Sequence, residues 1–108
     1  MMDRSSQIRA LASEQRLQVL RLLKAPGQHF GGQWSADPVE FGVCVTLIAE
    51  ALGVSQPTTS RHVELLRQAG FITVRRHQKW SYCKRDEAAL AEYLSWLAEE
   101  TGVGTGGG

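Results

Sequence analysis

The sequence predicts a mainly helical α+β domain with about five helices and one β-hairpin. Apolar residues recur at helical spacing before residue 25, between residues 45 and 69, and after residue 86. Residues 71–83 instead contain two short runs of β-branched and aromatic residues, which favour paired strands. With 108 residues and 43% of them apolar, the chain suits one compact core.

We expect this core to occupy residues 1–101 and the tail at 102–108, which is rich in glycine, to be disordered. No apolar run is long enough to cross a membrane, and the polar residues 1–9 do not resemble a signal peptide. These features predict a cytoplasmic protein. Its two cysteines, Cys44 and Cys83, are too few for a disulfide scaffold and are expected to be thiols.

The first predicted element is a helix in two pieces across residues 4–25, with Ser13 as the N-cap of the second piece. Pro26 and Gly27 are expected to end it. Residues 27–43 have no steady period and are interpreted as a long connection, which aromatic and apolar side chains tether to the core: Phe30, Trp34, Val39 and Phe41.

Two helices and a tight turn follow. Residues 45–52 form a short helix ended by Gly53, and Ser55 caps a second helix that runs through Ala69. The hairpin after Gly70 has a polar, basic tip at residues 76–79. This order of elements is that of a winged helix-turn-helix, in which the second helix enters the DNA major groove.

The last predicted helix, residues 87–100, is capped by Asp86. Apolar residues mark one face of it, with Tyr93 and Trp96 beside them: Leu90, Leu94 and Leu97.

Charge is unevenly distributed although the net charge is only +1. Residues 53–85 contain seven basic residues and one acidic residue, Glu64, whereas residues 86–108 contain five acidic residues and no basic ones. A contiguous basic third of the chain is the expected footprint of a DNA-contacting face.

Three segments carry a family resemblance: residues 52–62 (LGVSQPTTSRH), 65–71 (LLRQAGF) and 75–82 (RRHQKWSY). They closely resemble the ArsR/SmtB-type (arsenic-repressor) family of bacterial regulators, and the resemblance extends over roughly residues 5–97, with 27–43 matching poorly. It implies a homodimeric repressor of a palindromic operator, released by an inducer. It also implies that the terminal helices form the dimer interface, which on the last helix means Leu90, Tyr93, Leu94 and Leu97.

The predicted DNA contacts fall into two groups. The outward residues near the start of the second helix are expected to contact bases and phosphates: Gln56, Thr58, Ser60, Arg61 and His62. The wing residues are expected to contact mostly phosphates: Arg75, Arg76, His77 and Lys79. Thr59, where the family usually has an apolar residue, is expected to face inward.

The sensed signal stays open. Many relatives bind metal through a Cys-x-Cys pair, but the resemblance aligns that pair with Cys44 and Thr46, and residues 87–100 contain no histidine for the family's second site. We therefore predict no metal site and no cofactor, unless Cys83 or His29 completes a site with Cys44. A thiol switch using Cys44 and Cys83 is one alternative, and two structural cysteines are another. Likewise, the 27–43 connection either forms an apolar effector pocket or simply covers the core.

No catalytic constellation is recognisable, so the sequence does not predict an enzyme. The rival interpretation from another class is a winged-helix module that binds a protein and has no specific affinity for DNA.

Overall fold

The computed structural model describes residues 3–104. Within that range the chain forms six helices and a three-stranded antiparallel sheet. In chain order the elements are α1 (Arg4–Leu11), α2 (Glu14–Lys24), α3 (Pro26–Phe30), β1 (Val43–Cys44), α4 (Val45–Leu52), α5 (Gln56–Gln68), β2 (Ile72–His77), β3 (Trp80–Arg85) and α6 (Glu87–Thr101). The mainly helical α+β class is confirmed, with one more helix and one more strand than predicted.

The two-piece N-terminal helix is also confirmed. The Ser13 hydroxyl accepts a hydrogen bond from the backbone N–H of Arg16, so it caps α2 as expected. As expected, this helix ends just before Pro26, at Lys24. A further short helix, α3, was not predicted, and Pro26 is its first residue. Proline suits that position since it lacks an N–H and its φ is already helical.

The helix-turn-helix consists of α4 and α5. Gly53 ends α4 with φ of 71°, in the left-handed region that favours glycine. The Ser55 hydroxyl then caps α5 by accepting from the N–H of Thr58, and Pro57 fits in the first turn. Thr59, Val63 and Leu66 form the buried face of α5, as their spacing predicted.

The sheet has the order β1-β3-β2. Strand β1 was not predicted: Val43 is the last residue of the expected connection and Cys44 follows it directly. The strand pairs Val43 with Cys83 and Cys44 with Tyr82. The hairpin strands β2 and β3 are longer than expected. The turn between them is therefore only Gln78 and Lys79, with Gln78 at φ of 56°.

The connection between α3 and β1 is anchored by Gln33. Its side-chain amide donates to the carbonyls of Ala36 and Gly42, and its side-chain oxygen accepts from the N–H of Cys44 at 2.8 Å. Tyr82 donates its hydroxyl to Ser35 at 2.9 Å. A long loop without regular structure is thus held to the sheet by polar contacts at several points.

Helix α6 is capped by Asp86, as predicted, whose carboxylate accepts from the N–H of Ala89. The helix continues to Thr101, and Gly102 ends it in the left-handed conformation at φ of 74°. The C-terminal cap, Gly102, thus belongs to the stretch predicted to be disordered. Residues 105–108 of that stretch lie outside the described residues.

The core lies between the helices and the sheet. Its fully buried side chains include Phe71, Ile48 and Leu66, and Phe71 packs edge-to-face against Tyr93 of α6 at 5.2 Å. The buried Gln7 on α1 donates to the carbonyl of Ala69 and so ties α1 to the end of α5. Among the described helices, none has both the length and the apolar character needed to span a membrane.

Gly42 gives a direct test of how the connection meets the sheet. It adopts φ of 107°, and a Cβ there would lie 2.7 Å from the carbonyl oxygen of Cys83. We expect Gly42→Ala to lower the free energy of unfolding by about 2 kcal/mol or more, because the strained backbone alone costs of this order. Urea titration followed by circular dichroism measures the change. Gly32→Ala, where a Cβ meets nothing within 4 Å, is the matched control and should stay within about 0.5 kcal/mol. Equal stabilities of the two variants would contradict the prediction.

Candidate DNA-binding surface

The exposed side of α5 begins at its capped N-terminus. Gln56, Thr58, Ser60 and Arg61 are all exposed. The hydroxyl of Ser55 donates to that of Thr58 at 2.9 Å, so the Thr58 side chain is already oriented by the cap. Within residues 3–104 no hydrogen bond or ion pair engages the guanidinium of Arg61, which leaves its donors available for a base or phosphate.

Thr59 lies on the opposite side of the helix and is fully buried. Its hydroxyl donates to the carbonyl of Ser55 at 2.9 Å, which satisfies the only polar group of the side chain. The inward orientation expected for Thr59 is confirmed. The family usually has an apolar residue at this position, and the local hydrogen bond compensates for burying a hydroxyl there.

His62 is placed differently from the other predicted contacts. It is half-buried against α2, where its Nδ1 atom lies 3.1 Å from the Arg16 guanidinium and its Nε2 atom lies 2.7 Å from the side-chain oxygen of Gln15. Since arginine can only donate, Nδ1 accepts and Nε2–H donates, which is the neutral tautomer. Both ring nitrogens are used in holding α5 to α2. The geometry therefore assigns His62 a role in fixing α5 to α2, and its predicted contact with DNA stays a prediction.

Electrostatics supports that assignment. Burial lowers the pKa of His62 from its ordinary 6.5, and the neighbouring positive charges of Arg16 and Arg61 lower it further. A neutral imidazole contributes no charge for attracting phosphate.

The far end of α5 carries a balanced ion pair. Arg67 donates two hydrogen bonds of 2.7 Å to the Glu64 carboxylate, and Gln68 donates a third at 3.1 Å. These bonds lower the pKa of Glu64 to about 2. The positive charge of Arg67 is thus matched locally, and the unmatched charge on this helix is that of Arg61.

In the wing, Arg76 and Lys79 are exposed, and the Lys79 ammonium lies 5.2 Å from the ring centre of Trp80. Arg75 and His77 are exposed too, but both contact Phe41 of the connection. The Arg75 guanidinium stacks 3.9 Å from the Phe41 ring centre and donates to the Phe41 carbonyl, while the His77 ring meets Phe41 edge-on at 5.2 Å.

Helix and wing meet in one polar cleft of about 380 Å³. Gln56 and Ser60 of α5 line one side, and Arg76 and Lys79 of the wing line the other. The structure therefore brings four of the nine predicted DNA contacts around one concave surface. Thr58 and Arg61 are exposed on α5 outside this cleft, Arg75 and His77 are held by Phe41, and His62 faces α2.

Sequence reasoning missed two supporting groups. Gln15 and Arg16 position His62, and Phe41 positions two wing residues. The helical pattern of residues 4–25 does mark Gln15 and Arg16 as polar, but their partner is 46 residues away from Arg16. Only the packing of α2 on α5 identifies that contact.

The two cysteines are free thiols on neighbouring strands, and both are buried. Cys83 pairs with Val43 and Cys44 pairs with Tyr82, so strand alternation places the two side chains on opposite faces. Burial, followed by the proximity of Cys44, raises the pKa of Cys83 to about 12. A thiol that stays protonated is a poor nucleophile, so this placement does not favour the thiol-switch alternative.

Among the described residues, no three side chains of metal-binding type converge on one point.

The predicted dimer residues of α6 divide by burial. Leu90 and Tyr93 are 8% and 3% exposed within the single chain, so their side chains belong to its own core. Leu97 is half-buried against that core, and Leu94 is 58% exposed. Of the four, Leu94 offers the largest uncovered apolar surface. Nearby, Arg4 of α1 pairs with Glu92 at 2.6 Å and covers Trp96, which fixes α1 beside α6.

Residues 43–74 match the family model described as bacterial regulatory protein, arsR family. The chain is 39% identical over 92 residues to the HTH-type transcriptional regulator YbzH of Bacillus subtilis (strain 168), covering 85% of this chain and 92% of that protein. It is 36% identical over 70 residues to the arsenical resistance operon repressor of Escherichia coli (strain K12), covering 65% of this chain and 48% of that repressor.

Solved structures share the fold. The crystal structure of an ArsR family transcriptional regulator superimposes with a TM-score of 0.68 at 19% identity, covering 92% of both chains. The solution structure of a homodimeric winged helix-turn-helix DNA-binding domain from Mycobacterium bovis gives a TM-score of 0.62 at 24% identity, covering 93% of this chain and 81% of that one. The predicted winged helix-turn-helix is confirmed.

The half-buried, neutral His62 predicts a pH dependence of stability. Its pKa is lower in the folded than in the unfolded state, so the unfolded state binds the proton more readily. The free energy of unfolding should therefore fall as the pH drops below about 6.5 and be unaffected by this group above it. We expect urea midpoints to decrease more between pH 7.5 and pH 5.5 in the unmodified protein than in His62→Gln. Parallel decreases would show that His62 is not the responsible group.

Proposed function

This chain belongs to the arsR family of bacterial regulatory proteins, and we propose that it is a homodimeric repressor that binds a roughly palindromic operator and leaves it when a signal is present. Its family and fold are those of a DNA-binding transcriptional regulator rather than an enzyme. The operator, the dimer and the response to a signal are the parts of the proposal that need experiment.

The observation that carries this proposal is the cleft between α5 and the wing. Gln56 and Ser60 face Arg76 and Lys79 across it. Arg61 is exposed on α5 outside the cleft and adds an unmatched positive charge to the helix. Donors and cations gathered on one concave surface suit a DNA edge, because bases need directed hydrogen bonds and phosphates need positive charge.

A dimer suits the geometry of such recognition. One reading helix covers only a few base pairs, whereas two related by a two-fold axis meet successive major grooves about 34 Å apart. The Mycobacterium bovis neighbour is described as homodimeric, and Leu94 offers an exposed apolar residue on α6 for a self-complementary contact. We place this activity in the cytoplasm, where a bacterial regulator meets its operator.

Repression is proposed from the relative that is named a repressor, the Escherichia coli protein. We do not infer from this relative which signal releases the present protein from DNA. The position that the family resemblance aligns with a second metal-binding cysteine is Thr46 here, and a hydroxyl is a poor ligand for the soft metals that thiolates select.

Arg61→Ala tests the reading helix. If Arg61 contacts a guanine, its loss should weaken operator binding by about 1–3 kcal/mol and relax the base preference at one position of each half-site. Fluorescence anisotropy with DNA from just upstream of the gene, compared with random DNA of equal length, measures both effects.

The matched control is Arg67→Ala on the same helix, since the charge of Arg67 is paired with Glu64 whereas that of Arg61 is not. It should leave affinity within about twofold, the range of a surface substitution. Loss of affinity in both variants alike would point to general electrostatics. Operator binding no tighter than binding to random DNA, with little dependence on salt, would favour the rival protein-binding module.

Leu94→Glu tests the dimer. Placing a carboxylate on the exposed apolar position of α6 should shift the protein from dimer to monomer, because an unpaired charge at a buried contact is strongly unfavourable. Sedimentation equilibrium measures the mass. Val39→Glu is the control, since Val39 is also 58% exposed but lies in the connection. A dimer that persists in Leu94→Glu would place the interface elsewhere.

A further inference from the structure

A second, apolar cavity of about 150 Å³ lies behind the DNA-facing cleft. The 32–35 segment of the connection forms one wall, the start of α4 forms another, and Trp80, which pairs with His77 beside the turn of the wing, forms a third. None of its lining side chains is charged. Leu47 and the two indoles of Trp34 and Trp80 give it a predominantly apolar interior.

Trp34 is the unexpected residue in this cavity. Its side chain is 86% exposed, although an indole is among the largest apolar groups a protein can bury. It stands edge-to-face to Trp80, with ring centres 6.4 Å apart and planes at 85°. Two indoles in this arrangement present both a ring edge and a ring face, which is the pair of surfaces that a third aromatic ring prefers to contact.

The cavity wall is held in place by hydrogen bonds. Gln33 uses its amide N–H groups on Ala36 and Gly42 and its oxygen on the N–H of Cys44. Because these polar atoms are occupied within the protein, they do not require a polar ligand. The site is therefore preformed and apolar, which lowers the cost of ordering on binding.

The cavity and the DNA-facing cleft share a wall formed by Cys44, Thr46 and Trp80. The other side of that wall holds Lys79, whose ammonium lies over the Trp80 ring. A molecule that moves the Trp80 indole necessarily changes the surroundings of Lys79. It also acts at the junction between the wing and the first residues of the helix-turn-helix.

We propose that this cavity binds an uncharged molecule with a single aromatic ring, and that this binding weakens DNA binding by displacing Trp80 and Lys79. A volume of about 150 Å³ is that of a cavity able to hold benzene. The regulatory half of this inference rests on the proposed DNA-binding function, whereas the binding site itself does not.

The first experiment titrates the full-length protein with p-cresol and follows the indole N–H signals of its three tryptophans by NMR. The Trp34 and Trp80 signals should shift and saturate. The signal of Trp96 should stay in place, because this residue lies on α6 and packs under Arg4 of α1. The absence of a saturable shift overturns the site. Equal shifts of all three signals would mean general aromatic adsorption and would overturn it too.

Trp34→Ala is the test variant, since an exposed side chain can be removed without disturbing the core. It should weaken the affinity for p-cresol between about twofold and tenfold, the range expected for loss of one aromatic pair. Val39→Ala, in the same connection but outside the cavity lining, should bind p-cresol as the unmodified protein does. Unchanged affinity in Trp34→Ala would overturn the assignment of the indole.

The coupling is measured by anisotropy with operator DNA. Saturating p-cresol should reduce DNA affinity by about fivefold or more, the lower range of typical allosteric couplings. By linkage, DNA should reduce p-cresol affinity by the same factor. Binding of p-cresol without any effect on DNA affinity would overturn the regulatory half. Because the NMR titration contains no DNA, failure of the proposed DNA-binding function and failure of the cavity give distinguishable results.

Discussion

Two short backbone pairings, of Val43 with Cys83 and of Cys44 with Tyr82, join the two parts of the candidate DNA-binding surface. Helix α4 begins directly after Cys44, so its position follows from β1. The wing is the continuation of β3, the strand to which β1 pairs. Strand β1 therefore links the start of the helix-turn-helix to the wing strand β3. The positive φ of Gly42 and its close approach to Cys83 are the conditions under which the chain can enter that strand.

The connection between α3 and β1 contributes more than cover for the core. On one side Gln33 joins it to the start of β1 and α4, and on the other Phe41 stacks on Arg75 and meets Tyr82 edge-on. Lys84 of β3 also donates to the Glu40 carbonyl. A segment with no regular structure thus contacts both the start of the helix-turn-helix and the wing. This placement gives a physical reason for a signal received in the connection to reach the wing.

The charge of α5 is divided along its length. Its C-terminal half carries a locally matched pair in Arg67 and Glu64, its middle is fixed to α2 through a neutral His62, and its N-terminal half carries the unmatched Arg61. Positive potential is thereby concentrated where the helix is capped and exposed. The helix dipole adds to it, because backbone N–H groups at a helix N-terminus favour negatively charged partners.

Local rules determined much of this protein from its sequence. The caps at Ser13, Ser55 and Asp86, the left-handed Gly53 and the inward face of α5 each depend on residues a few positions apart, and all were predicted correctly. Likewise, the exposed positions at the start of α5 follow from helical spacing. Tertiary structure alone decided strand β1, the contact of His62 with α2, the stacking of Arg75 on Phe41 and the burial of Tyr93 within one chain. These features join residues far apart in the chain, and periodicity along a sequence carries no information about which distant segment will lie against another.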